Sequence, residues 1–253
     1  MTKKKVILEV NDVSRSYFEG GKEFKALEHI RFDLYAQDFV CIVGPSGCGK
    51  STLLRIIVGL DRPTSGEVLF EGKPIEAKNP QVAMVFQSFA IFPWLTVEQN
   101  VELGLEARRV APSMRAEKAK RYIEIVGLTG FENAFPRELS GGMKQRVGLA
   151  RALATDTVLL CMDEPFSALD ALTAQNLRDE ILELWSDPAL PPDAVLMVTH
   201  SIEEAVYLAD RVIVLSGRPG RQVAELEIDL PRPRNRREPE FYGWVDDIYS
   251  LIV

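Results

Sequence analysis

The stretch that decides the fold is "GPSGCGKST", Gly44–Thr52, set between the apolar run "FVCIV" (Phe39–Val43) and "LLRIIVGL" (Leu53–Leu60). A glycine-rich turn between a strand and a helix lets backbone N–H groups close around an anion, and the helix N-terminus adds a favourable dipole. Gly44, Pro45, Ser46, Gly47, Cys48, Gly49, Lys50 and Ser51 match the phosphate-binding P-loop template in full and in the strand–turn–helix context it requires. On that template Lys50 reaches the β- and γ-phosphates, Ser51 coordinates Mg²⁺, and Thr52 bonds further back along the phosphates. The chain is thus expected to bind a nucleotide. An ordinary glycine-rich strand–helix turn is the competing reading, and the completeness of the match tells against it.

Composition bounds the rest. A chain of 253 residues, 46% of them apolar, holds one large domain or a core with a smaller subdomain, and needs no disulfides to support it. The net charge of −7 tells against nucleic acid as a main partner. Cys41, Cys48 and Cys161 have no metal-ligand or paired spacing and read as small buried residues of a reducing compartment. Cys48 also lies beside a lysine at a helix N-terminus, so it reads either as a partly ionised, alkylatable thiol or as a shielded, inert one. "MTKKKVILEV" is basic but lacks the apolar core of a signal peptide, and no apolar run approaches the roughly 18 residues of a membrane span. The expectation is a cytosolic chain that meets any membrane through another protein.

Outward from the loop, Val6–Leu34 reads as short alternating strands with glycines placed for a hairpin. "FVCIV", "VAMVF", "VLLCM", "VLMVT" and "VIVL" read as buried parallel strands with helical stretches between several of them. The segment from about Thr96 to Asp156 has no convincing strand and three helix-like stretches, which suggests an inserted helical subdomain. The tail from Pro231 is rich in proline and arginine and then turns amphipathic ("FYGWVDDIYSLIV"). Its arginines, Arg232, Arg234, Arg236 and Arg237, read as a solvated surface, with weak attraction to anionic lipid as the lesser possibility.

Two further motifs carry chemistry. "VLLCMDEP" delivers Asp163 and Glu164 to the carboxyl end of a strand, where ligands bind in open α/β sheets. Asp163 suits the Mg²⁺ held by Ser51, and Glu164 is placed to take a proton from a water in line with the γ-phosphate. In "LSGGMKQRVGLARAL", Ser140 is a good N-cap, Gly141 and Gly142 follow, and the helix forms a second anion-binding N-terminus that one nucleotide on the P-loop would not need.

"LSGGM" followed by "KQR" resembles the signature motif of the ATP-binding cassette (ABC) ATPases, and the motifs from Val6 to about Arg234 follow that family's order. The resemblance implies an α/β P-loop NTPase with a RecA-like parallel-sheet core, an N-terminal antiparallel β subdomain and an inserted helical signature subdomain. The expected boundaries are residues 5–235 for the ATPase domain, with 6–95 and 157–230 as core and 96–156 helical, then 236–253 as a helical tail. It implies that Tyr17 stacks on adenine, that Gln87 touches Mg²⁺ and the attacking water, that "SALD" (Ser167–Asp170) is the D-loop, and that His200 contacts the γ-phosphate. Met143 stands where the family most often has glutamine, a side chain less critical to phosphate binding than Ser140 and the glycine backbone. The family architecture also implies a head-to-tail dimer, with Ser140 of one copy facing the γ-phosphate held by Lys50 of the other.

Of three readings, a DNA-acting ABC ATPase would want a coiled-coil insertion or a basic groove, and a small-molecule kinase leaves "LSGGM" and His200 without work. An ATP- and Mg²⁺-dependent transporter subunit remains. "IFPWLTVEQNV", "DEPFSALDALT", "VIVLSGRPGRQV" and "LPRPR" resemble the nitrate/sulfonate/taurine group of importer ATPases. That resemblance implies transmembrane permease subunits and, indirectly, an extracytoplasmic solute-binding protein as partners, and a peripheral place on the cytoplasmic side of the membrane. The apolar run "SFAIFPWLTVEQNV" after Gln87 is expected to bury Leu95 and Val97 and to leave some of Phe89, Phe92 and Trp94 partly exposed as a contact surface.

Overall fold

A computed structural model describes residues 4–76 and 79–252. In chain order the strands and helices are β1 (Val6–Glu19), β2 (Lys22–Tyr35), β3 (Phe39–Val43), α1 (Lys50–Ile57), β4 (Ser65–Phe70), β5 (Lys73–Pro74), β6 (Val82–Val85), α2 (Val97–Ala107) and α3 (Pro112–Ile125). They continue with α4 (Gly141–Leu153), β7 (Leu159–Asp163), α5 (Ala171–Ser186), β8 (Ala194–Thr199), α6 (Ile202–Leu208), β9 (Arg211–Leu215), β10 (Gln222–Glu227) and α7 (Pro239–Ile252). The chain divides into two compact units, one from the described residues up to Asn79 and from Ala194 onward, the other Pro80–Asp193.

The first unit holds an antiparallel sheet in the order β2-β1-β4-β5 and a parallel group in which β3 lies between β8 and β9, with β10 antiparallel on β9. Every residue of β3 and β8 is buried, which is why both read as unbroken apolar runs rather than as alternating ones. β1 and β2 depart from the short strands expected. Each is a single strand of 14 residues, and register shifts between Val10 and Ser16 interrupt the ladder, as bulges do where a strand bends and its local twist increases. Helix α1 buries Leu53, Leu54, Ile56 and Ile57, and α7 packs on α6 and β9 through Phe241 and Ile248.

The tail arginines correct the sequence expectation. Arg237 is exposed, but Arg234 is buried, Arg232 bonds Asp210, and Arg236 stacks on Tyr207. A guanidinium carries five donors in a planar fork, and here the fork of Arg234 finds backbone carbonyls inside the fold rather than water.

In the second unit β6 and β7 pair in parallel from Val82 beside Leu159 to Val85 beside Met162. Helices α2, α3 and α4 pack on one another, and α4 also packs on β6. Thr96 caps α2 in a reciprocal capping box with Gln99, Ser140 caps α4 and Asp170 caps α5.

At the entry of β3, Asp38 is 1% exposed and accepts hydrogen bonds from Lys4 Nζ (3.0 Å), Arg211 Nη1 (2.5 Å) and Tyr35 N (3.2 Å). Arg211 also donates to Asp33 O at 3.0 Å and to Glu225. Removing one partner of a buried ion pair strands the other, so Asp38→Ala is expected to cost about 3 kcal/mol. Urea denaturation checks this: the midpoint falls while the slope stays constant.

Candidate functional site

The first unit supplies one group of candidate residues. β3 ends at Val43 and the chain turns through Gly44–Gly49 into α1, with Gly49 at φ 102° as its N-cap. A Cβ on Gly49 would stand 2.7 Å from Leu27 Cδ2 and 2.9 Å from Ala26 O, and one on Gly220 would stand 2.1 Å from Cys48 O. The loop is thus wedged between β2 and the β9–β10 turn, and only glycine fits at both contacts. Lys50 is buried and donates to Gly44 O (2.8 Å) and Pro45 O (3.0 Å), which folds its ammonium back over the loop. Ser51 and Thr52 follow in the first turn of α1, both half-buried.

Arg218 braces the loop from outside. Its Nε donates to Gly47 O at 2.7 Å and its guanidinium lies 5.3 Å from the Phe24 ring centroid. Tyr17 stands opposite Phe24 on the hairpin. Its hydroxyl donates to Asp61 at 2.9 Å, and Arg15, itself bonded to Asp61, lies 4.5 Å from its ring centroid. That bracing fixes the phenol ring while leaving it 38% exposed. His200 is exposed between the end of β8 and α6. Around it Thr199 Oγ1 donates to Glu204 Oε2 (2.6 Å), Ser201 N donates to Thr199 Oγ1 (3.0 Å), and Glu204 N donates to Ser201 Oγ (3.2 Å).

Cys48 settles the two readings left open for it. It is buried, and burial pushes its thiol up, outweighing the opposing pull of Lys50. It is the shielded thiol, not the ionised one.

The second unit supplies the other group. Asp163 closes β7 and is buried, and Glu164 follows at φ 44°, a left-handed conformation in a non-glycine residue. Ser167 donates to Glu164 O through both its N–H (3.2 Å) and Oγ (2.9 Å), and Gln87 Nε2 donates to that same Oγ at 3.1 Å. Within this unit, Gln87 and the Glu164 turn are therefore joined through one hydroxyl. Ser140 Oγ accepts from Met143 N (3.2 Å), and a Cβ on Gly142 would stand 2.4 Å from Thr173 Cγ2. Thr173 in turn bonds Asp170 through N (3.0 Å) and Oγ1 (2.6 Å), and these bonds hold the Asp170 carboxyl below its ordinary value. Gly141 is half-buried beside them.

Two residues that the sequence reading passed over organise this group. Asn100 is fully buried inside α2, where its amide donates to Phe92 O (3.1 Å), Leu95 O (3.1 Å) and Thr96 O (2.9 Å) and accepts from Phe92 N (2.8 Å). Those bonds shape the loop that displays Phe92 and Trp94, exposed by 36% and 69% and in edge contact at 5.5 Å. Phe89 and Leu95 are half-buried and Val97 is buried. Arg151 of α4 donates to Ala90 O (2.8 Å) and Phe89 O (3.5 Å). The available signal was an asparagine in a helix interior four residues after its cap, a place that asparagine otherwise avoids.

Within the second unit Gln87 and Asp163 offer an amide and a carboxylate oxygen, hard donors of the kind that Mg²⁺ takes.

Among known proteins, residues 27–167 match the family model described as ABC transporter. The chain is 45% identical over 254 residues to the nitrate import ATP-binding protein of Synechocystis sp., spanning 97% of this chain and 94% of that one. It is 42% identical over 234 residues to the aliphatic sulfonates import ATP-binding protein of Bacillus anthracis, spanning 92% and 90%. Among solved structures, a dimeric ATP-binding cassette in a post-hydrolysis state, bound to ADP and Pi, superposes with a TM-score of 0.77 at 31% identity, over 89% of this chain and 100% of that one.

The shielding of Cys48 has a direct test. Maleimide is expected to leave Cys48 unmodified in the folded protein and to modify it in urea, with the site read by mass spectrometry. Rapid labelling of Cys48 in the folded protein at neutral pH would contradict its burial.

Proposed function

The chain belongs to the ABC transporter family of ATP-binding proteins, and on that premise we propose that it is the motor subunit of an importer for a small solute of the nitrate, sulfonate or taurine type. Its reaction is ATP hydrolysis. The observation that carries the importer reading is that the nitrate and sulfonate import relatives each align over nine-tenths or more of both chains. No helix among the described residues is long and apolar enough to cross a membrane, which agrees with a subunit that works on a separate permease at the cytoplasmic face.

In this reading Tyr17 stacks on adenine, the backbone of Gly44–Gly49 cradles the phosphates, and Lys50 turns from the loop carbonyls to the β- and γ-phosphate oxygens. Ser51, Gln87 and Asp163 would hold Mg²⁺, which would offset the negative charge of the phosphates. Glu164 accepts a proton from the water that attacks the γ-phosphorus as the bond to ADP breaks, and Gln87 and His200 orient that water and the γ-phosphate. Ser140, Gly141 and Gly142 of a second copy close over the γ-phosphate, so ATP joins two subunits and hydrolysis releases them. The dimeric, ADP- and Pi-bound cassette supports that assembly.

Glu164→Gln keeps the hydrogen-bonding shape and loses the base. It is expected to bind ATP, to lose most turnover and to accumulate an ATP-bound dimer, read by size-exclusion chromatography with ATP and Mg²⁺ beside a phosphate-release assay. Wild-type turnover in that variant would refute the general-base role.

Phe92 and Trp94 support a docking surface for a short cytoplasmic helix of the permease, because large exposed aromatics in contact on a soluble subunit mark a partner site. The Phe92→Ala, Trp94→Ala double variant is expected to keep the ATPase activity and melting temperature of the isolated subunit. Copurification with the permease and solute uptake should both fall. Joint loss of ATPase activity and thermal stability would assign these rings to the core instead.

A further inference from the structure

Arg232, Arg234 and Arg236 alternate along the segment after β10 and converge on α6. Arg234 is 6% exposed, and each nitrogen of its fork donates to a backbone carbonyl. Its Nη1 donates to Val206 O and Ala209 O, each at 2.6 Å, its Nε to Leu230 O at 3.0 Å and its Nη2 to Ile228 O at 3.2 Å. Arg232 donates to Leu208 O and to Asp210 Oδ1 (2.6 Å), and the Arg236 guanidinium lies 4.2 Å from the Tyr207 ring centroid. Asp210 carries the tie onward: its Oδ2 accepts from Phe39 N at 2.9 Å, and its own N–H donates to Phe39 O at 2.7 Å.

The last carbonyls of a helix have no partner within it, and a cation there also meets the negative end of the dipole. α6 has only seven residues, too few to hold a helix by propensity, so its orientation is set by what grips its ends. At one end the grip is Thr199, Ser201 and Glu204, immediately around His200. At the other it is Arg234 and Arg232. Burial pulls the Arg234 guanidinium down to about 10, because a cation inside the fold has lost the water that a surface arginine keeps. A buried guanidinium with every nitrogen on backbone specifies one arrangement of the elements it joins.

We propose that Arg234 is a positioning residue for ATP turnover, holding the C-terminal end of α6 so that His200 at the opposite end meets the γ-phosphate in one orientation. The inference rests on the role given to His200 above, and its test separates the two. Arg234→Gln and Arg234→Lys are expected to lower kcat about tenfold while KM for ATP and binding of a fluorescent ATP analogue stay within about twofold. Arg234→Lys, which keeps the buried charge but not the fork, provides the kinetics if Arg234→Gln does not fold. Millimolar guanidinium is expected to restore part of the kcat lost in Arg234→Ala. Val68→Ala, in β4 of the antiparallel sheet rather than in α6 or the strands paired beside it, serves as the stability control: it is expected to lower the melting temperature and leave kcat unchanged.

In a double-variant cycle, Arg234→Lys on top of His200→Ala is expected to cause no further fall in kcat, because the arginine acts through the histidine. Full turnover in His200→Ala would overturn the role of His200 itself. An inactive His200→Ala beside fully active Arg234 variants, or a kcat loss in Val68→Ala that matches theirs at equal melting temperature, would overturn the positioning role alone.

Discussion

The parallel register of β3 with its two neighbours is the constraint from which the first unit's chemistry follows. Val43 lies beside Thr199 of β8 on one side and Val214 of β9 on the other. The Gly44–Gly49 loop, His200 and the turn that carries Arg218 therefore leave the sheet at one level and on one edge. Parallel strands have evenly spaced, slanted hydrogen bonds, and a shift by one residue would turn every buried side chain of β3 to the opposite face. With both faces of β3 and β8 buried, that shift has no compensation, so the register is held by the whole apolar run rather than by any single contact.

The opposite end of the same strands is built from charge. Asp38 and Asp210 flank the entry of β3, with Arg211 and Lys4 on the first and Arg232 on the second. Such pairs contribute less net stability than apolar packing, because each ion must be stripped of water before it gains its partner. They do supply direction, fixing where β3 begins and where α6 ends. Arg211 does the same for three elements at once, since it reaches Asp38, Asp33 O and Glu225 from one guanidinium.

Much of this was legible from residue order alone. The strand–turn–helix at Phe39–Ile57, the buried strands and the capped helix after Ser140 follow from patterns whose physics is local: apolar runs, glycine placement and a capping hydroxyl. What escaped was set by partners distant in sequence. Arg234 bonds Val206 O across 28 residues, and no pattern within "LPRPRNRR" tells an arginine that finds carbonyls from one that finds water. Cys48 has a lysine and a helix N-terminus within reach, but the outcome depended on burial by the β9–β10 turn, whose Gly220 presses on the Cys48 carbonyl. β1 and β2 ran longer than expected because bulges, which sequence marks poorly, let one strand continue through an irregular stretch.

The second unit stores its constraint in backbone strain instead. Phe89 and Ala90, shortly after Gln87, are consecutive non-glycine residues at φ 64° and 46°, and Glu164 stands at 44°. Such conformations persist only where the surroundings over-determine them. For the first pair the surroundings are Arg151, whose guanidinium takes both carbonyls, and Gly148, whose missing side chain leaves Phe89 O 3.4 Å from where a Cβ would stand. For Glu164 they are the two hydrogen bonds from Ser167, whose hydroxyl also accepts from Gln87. The strained turn after Gln87 is thus fastened to α4, the helix that Ser140 caps, and Gln87 itself is fastened to the turn of Glu164. Within this unit a displacement of Gln87 has two rigid places to go, and both are elements that carry candidate catalytic or phosphate-binding groups.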